Sequence, residues 1–217
     1  MGVRTNYETE LQNLKGDIGL LSSMVEEGFN KAVKAIIKGN NAALEEIIER
    51  DEEINRLELE INENATIMIA KQQPVASDLR KVMAALKVAS DLERMGDLTV
   101  DMAKSALRMD AGLERNQFKN QLMKLAEMTS IMMKEVLHAY KRADMLRAQK
   151  IAAMDDEVDD YYGDFLKEVI QTASGNEAED MMQLAFIGRF IERIADYCTN
   201  VAEWIIYEVN GRRFDLN

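Results

Sequence analysis

The sequence predicts an all-α fold of two tandem, sequence-related antiparallel three-helix bundles, six long helices in all. Three observations lead there. Apolar residues recur every three or four positions through nearly the whole chain, the spacing of helices with one buried face. The 217 residues include one proline and 11 glycines, so long stretches contain no helix breaker. The second half then repeats the first. Leu92-Glu93-Arg94-Met95-Gly96-Asp97 has the same order of apolar, Glu, Arg, apolar, small and Asp as Ile191-Glu192-Arg193-Ile194-Ala195-Asp196, 99 positions later. Duplication of a three-helix unit is the simplest account. No stretch reads as a strand.

Each helix has its own signals. Leu11, Leu14, Ile18, Leu21, Val25, Ala32, Ala35 and Ile36 place the first helix over 7–38. Gly39-Asn40-Asn41 ends it with residues suited to a helix C-terminus. Leu44, Ile47, Ile48, Ile54, Leu57, Ile61 and Ile67 carry a second over 42–73, stopped by Pro74, whose missing N–H breaks or restarts a helix. A third runs over 75–110 with the first acidic motif, and Ala111-Gly112 marks the repeat boundary. In the second half, Leu122, Leu125, Met128, Met132, Val136 and Tyr140 set a helix over 115–142. Asp144 is the N-cap expected for a helix reaching Thr172. Ser174-Gly175-Asn176 precedes a last helix over 177–210. The first repeat thus spans 7–111 and the second 113–212. Short turns imply antiparallel neighbours.

Composition narrows the function. A formal net charge of −12, with no basic stripe, argues against binding nucleic acid. A hydrophobic content of 47% is too high for disorder. The single cysteine, Cys198, permits no internal disulfide and suits a reducing compartment. The N-terminus is polar, without a signal-peptide core, and no run approaches a membrane span. The expectation is a soluble cytoplasmic protein.

Function rests on the acidic rows. Glu93 and Asp97 are four residues apart, as are Glu192 and Asp196, so each pair shares one helix face about 6 Å apart along the axis. Asp101 and Asn200 extend the rows at the same step. By periodicity alone, a solvated charged face with stray ion pairs is the first explanation. Duplication speaks against it. So do the preceding helices, which carry their own oxygen pairs at this spacing, Asp51 with Asn55 and Asp155 with Asp159. Carboxylates crowded within about 4–6 Å raise one another's pKa and favour a compensating cation. If these helices face each other, four to five oxygen donors converge, a set suited to Mg, Ca, Mn or oxidised iron. The candidate ligands are Asp51, Glu93, Asp97 and Asp101 in the first half, and Asp155, Asp159, Glu192, Asp196 and Asn200 in the second.

Other motifs carry less. Glu135-x-x-His138 is half of a ferritin-like di-iron pair, but the chain has no second histidine. Cys198 sits among apolar residues and reads as a packed thiol, and the 15 methionines read as core filler. No Gly-rich phosphate loop, GxSxG or HExxH occurs. The sequence contains no catalytic set.

Several linked segments resemble the PhoU family of phosphate-transport accessory regulators. These are Gln73-Pro74-Val75-Ala76-Ser77-Asp78-Leu79-Arg80, Asp91 through Asp97, Phe190 through Asp196, Thr199-Asn200-Val201-Ala202-Glu203, and Ile206 through Arg212. The resemblance covers about 7–212 and implies paired three-helix bundles that usually form homodimers. It implies metal, iron or another divalent ion such as Mg or Mn, on the acidic rows. Glu93, Asp97, Glu192 and Asp196 then take the metal role, joined by Asp51, Asp155 and Asp159. It also implies a non-enzymatic cytoplasmic regulator that couples the ATPase subunit of a phosphate ABC transporter to a membrane sensor histidine kinase. Such a regulator represses the phosphate-starvation response when phosphate is ample. The chain departs from the pattern at Asp101, where Asn is common, and at Leu98 and Tyr197, where His is frequent. Met182 stands near the place of Arg80 in the second half. A carboxylate-bridged metal-dependent enzyme and a metal-free helical adaptor are the alternatives.

Overall fold

A computed structural model of the chain describes residues 2–110, 112–173 and 178–216. It is all-helical among those residues: α1 (Gly2–Lys38), α2 (Asn41–Gln72), α3 (Ser77–Ala106), α4 (Lys119–Arg142), a short α5 (Met145–Gln149), α6 (Ile151–Thr172) and α7 (Ala178–Asn210). The six long helices are those expected. Of the repeat boundary at Ala111-Gly112, Ala111 lies outside the described residues, as do the break at Ser174-Gly175-Asn176 and the helix start at Glu177.

The differences are local and have local causes. α2 stops at Gln72 because Gln73 turns left-handed (φ 47°), its N–H still bonding Ile69 O, and Pro74 follows. α3 ends at Ala106 instead of 110, since the Arg108 and Met109 N–H groups tighten to Ser105 and Ala106 carbonyls three residues back. Residues 113–115 form a single 3-10 turn, and the Asn116 side chain accepts the Phe118 N–H at 2.9 Å, so α4 begins at Lys119 instead of 115. Asp144 is the N-cap expected, accepting the Arg147 N–H at 3.0 Å. The helix it opens does not run on to Thr172; Lys150 divides it into α5 and α6.

Burial explains the packing. α2 buries Leu44, Ile47, Ile54, Ile61, Ala65 and Met68, a single stripe, and so packs on one side only. α3 buries residues on more than one face, Ala84, Ala85, Val88, Ala89, Leu92 and Met95 among them, and α7 does the same. These two helices are central. They run antiparallel and pack on each other more extensively than on any other helix. Asp110 N–H donates to Asp180 at one end, and Arg80 lies against Gly211 at the other. α1 and α2 flank α3, α4 and α6 flank α7, and α1 also touches α4. One apolar core therefore runs through both halves. This central pair faces the two acidic rows toward their flanking helices, α2 and α6.

Candidate metal centre

The second-half row is held by two adjacent helices. Asp155 and Asp159 lie one turn apart on α6, and Asp196 comes from α7. One oxygen from each lies within 4.8 Å of the others. Asp155 is buried at 7% exposure, Asp196 is half-buried and Asp159 is exposed, so the group opens to solvent on one side. Glu192, one turn before Asp196, is buried too. One of its oxygens is held by the Arg189 guanidinium. Its Oε2 and the Asp155 Oδ1 are buried with no hydrogen-bond partner. Arg193 approaches Asp196 at 3.6 Å, and Asn200 lies half-buried one turn further along α7.

Electrostatics follow from this geometry. Burial, with the Asp196 and Asp159 charges adding to it, pushes the Asp155 carboxyl up to about 6 against the pull of the nearby Thr199 hydroxyl. Burial, Asp196 and Asp159 push Glu192 up to about 7, against the pull of Arg189 and Arg193. Burial also raises Asp159 and Asp196. Two buried carboxylate oxygens without donors, in a group of four acids, form a site that is relieved either by bound protons or by a cation. With only oxygen ligands, the set fits a hard divalent ion.

The first-half row is built differently. Asp51 on α2 and Glu93, Asp97 and Asp101 on α3 are neighbours, yet among the described residues no three of their carboxylates converge as the second set does. Asn55 stands where the second half has Asp159, and its amide donates to Asp51 Oδ2 at 3.2 Å. Arg94 spans Asp97 at 2.8 Å and Glu93 at 3.6 Å, and Lys104 pairs with the half-exposed Asp101. Asp51 Oδ1 is buried without a partner, and Gly96 leaves room beside it. Burial and Asp97 raise both Asp51 and Glu93. The first half keeps the deep carboxylate and loses the third acid.

Other sequence candidates settle simply. His138 and Glu135 both engage Arg147. Cys198 is fully buried, which raises its thiol pKa well above the ordinary range. The partner that sequence reading missed is Arg189, legible as the i, i+3 neighbour of Glu192. Among the described residues, no helix is long and apolar enough to cross a membrane.

Comparison with known proteins agrees with this architecture. A family model described as the PhoU domain matches twice, over residues 18–106 and 122–205. The phosphate-specific transport system accessory protein PhoU homolog of Clostridium acetobutylicum is 31% identical over 217 residues, 99% of each chain. The accessory protein PhoU of Escherichia coli K12 is 30% identical over 210 residues, 96% of this chain and 87% of its own. The crystal structure of the phosphate transport system regulatory protein PhoU from Streptococcus pneumoniae superimposes with a TM-score of 0.89 at 30% identity, covering 96% of this chain and 99% of that one. That of PhoU from Pseudomonas aeruginosa gives 0.87 at 28% identity, covering 95% and 100%.

Proposed function

This chain belongs to the PhoU family, and we propose on that premise that it is a cytoplasmic, non-enzymatic regulator of phosphate uptake and phosphate signalling. It modulates a phosphate ABC transporter through the ATPase subunit, couples it to a sensor histidine kinase, and represses the starvation response when phosphate is ample. The observation that carries this reading is a likeness that extends over both repeats, with relatives named as accessory proteins of phosphate-specific transport. The repeats span 7–111 and 113–212, and the working form is a homodimer.

The acidic rows are the regulatory metal sites in this reading. Asp155, Asp159, Glu192 and Asp196 hold the ion, iron or another oxygen-preferring divalent cation such as Mg or Mn, with Asn200 at the margin. Asp51, Glu93, Asp97 and Asp101 form a weaker second site. The unpartnered Asp155 and Glu192 oxygens support the first assignment, and Asn55 in place of a third acid supports the difference between them. A bound ion supplies positive charge that ties α6 to α7. The residues themselves position oxygens and exclude water from one side.

A pull-down with the purified ATPase subunit and the sensor kinase, with and without divalent metal, tests the regulatory role. Retention of at least one of them is expected. Retention of neither, under both conditions, refutes it.

A further inference from the structure

A second charged cluster lies on the α3/α7 seam, apart from the acidic rows. Glu203 is 4% exposed, and its partners are in the segment that follows α7. Arg213 donates to its Oε2 through Nε at 3.2 Å and Nη2 at 3.1 Å, and the Leu216 N–H donates to Oε1 at 3.0 Å. The same guanidinium lies 4.8 Å from the Trp204 ring centre, with Lys87 on that ring at 5.9 Å. Gly211 (φ +75°) turns the chain back onto the seam, where Arg80 lies so close that a Cβ would meet its Nη1 at 3.1 Å.

The two partners differ in rigidity. Glu203 and Trp204 are fixed on a central helix. Among the described residues the tail has no secondary structure beyond Gly211, Phe214 is 45% exposed and the Arg213 side chain is 59% exposed. The Arg213 and Leu216 hydrogen bonds and the Trp204 ring contact are among the interactions that hold it, and its apolar Leu216 packs against the core. A buried carboxylate left alone is strongly disfavoured, and a cationic partner relieves that cost here. Nothing in the geometry requires that partner to be covalently attached. Nearby, Asp91 Oδ2 is buried without a donor, while Lys87, the Trp204 side chain and Arg213 stabilise the Asp91 charge. The duplication does not repeat Glu203 and Trp204: Lys104 and Ser105 stand at the equivalent places in the first half.

We propose that Glu203 and Trp204 form a docking site for an extended Arg-x-x-apolar segment of a partner protein. The chain's own Arg213-Phe214-Asp215-Leu216 occupies that site until the segment displaces it. Recognition is a guanidinium between a carboxylate and an indole face, with one backbone N–H three residues on.

Trp204 is the only tryptophan, so its fluorescence reports on the site directly. In the full chain, Arg213→Ala should raise acrylamide quenching of Trp204 about twofold by uncovering the ring. A synthetic peptide with the tail sequence should restore protection; the same peptide with Gln for its second arginine should not. The wild-type chain should need at least about tenfold more peptide to respond, since its tethered tail competes at millimolar effective concentration. Arg213 lies on the surface outside the helices, and Arg213→Lys, keeping charge without the fork, should give intermediate quenching. The proposal is overturned if the arginine peptide fails to protect Trp204 in Arg213→Ala, or if the glutamine peptide protects equally. Loss of wild-type protection on dilution overturns it too, by assigning the tail to a second copy of the chain.

Discussion

Phe165→Ala is expected to destabilise the chain by about 3–5 kcal/mol, the cost of emptying a large aromatic site. For a chain of this length the melting temperature should fall by about 6–20 °C. Phe165 is 1% exposed on α6 and meets Phe118 edge-on at 6.1 Å. Its ring also fills the space left by Gly188 on α7, where a Cβ would stand 2.6 Å from Phe165 Cε1. The contact works in both directions. Gly188→Ala overpacks the same point and should cost about 1–3 kcal/mol. The α6/α7 contact that positions Asp155 and Asp196 thus depends on a ring seated against a glycine. A fall below about 3 °C for Phe165→Ala, by calorimetry, would show that this contact does not hold α6 in place.

Metal-free protein should lose stability as the pH rises from about 4 to about 7, opposite to the trend of a protein with ion-paired acids. The carboxyls of Asp155 and Glu192 have ordinary values of 3.8 and 4.5, and folding raises them to about 6 and about 7. Between those limits the native state binds more protons than the unfolded state. The stabilisation is complete below the unfolded values and is lost as pH passes the folded ones. A bound ion inverts the dependence, because it needs the deprotonated oxygens. At a hundredfold excess over its dissociation constant, Mn or Mg should add about 2.7 kcal/mol, or about 5–10 °C in melting temperature at pH 7. Little of that gain should remain at pH 5. Melting temperatures with and without metal at three pH values measure this. A metal-free curve that is flat or rising across the window would contradict it.

Much of the fold was legible because helix period and breakers act locally. The six long helices and the Asp144 cap are properties of neighbouring residues, and the duplication is read by comparing the two halves directly. The break at Lys150 is not: its backbone remains near-helical (φ −78°, ψ −15°), and Ala148 and Ile151 on either side are fully buried. Packing imposes it, and no propensity marks it. The central α3/α7 pair was half-legible, since apolar residues on more than one face of a helix imply neighbours on more than one side. In the candidate site, spacing and repetition pointed to the rows, and the structure brings Asp155, Asp159 and Asp196 together with Glu192 beside them. The inequality of the halves was also visible as Asn55 against Asp159, a single amide in place of an acid. The Glu203–Arg213 clasp left no trace, because an extended tail has no period and its contact with Glu203 and Trp204 is set only by folding.

Elemental analysis of the chain purified without chelator decides whether the acidic rows hold metal. About one oxygen-preferring divalent ion per chain is expected, removed by Asp155→Asn with Asp196→Asn, with a weaker second equivalent removed by Asp51→Asn. No bound metal in the wild-type chain, even after incubation with iron, manganese and magnesium, would contradict it.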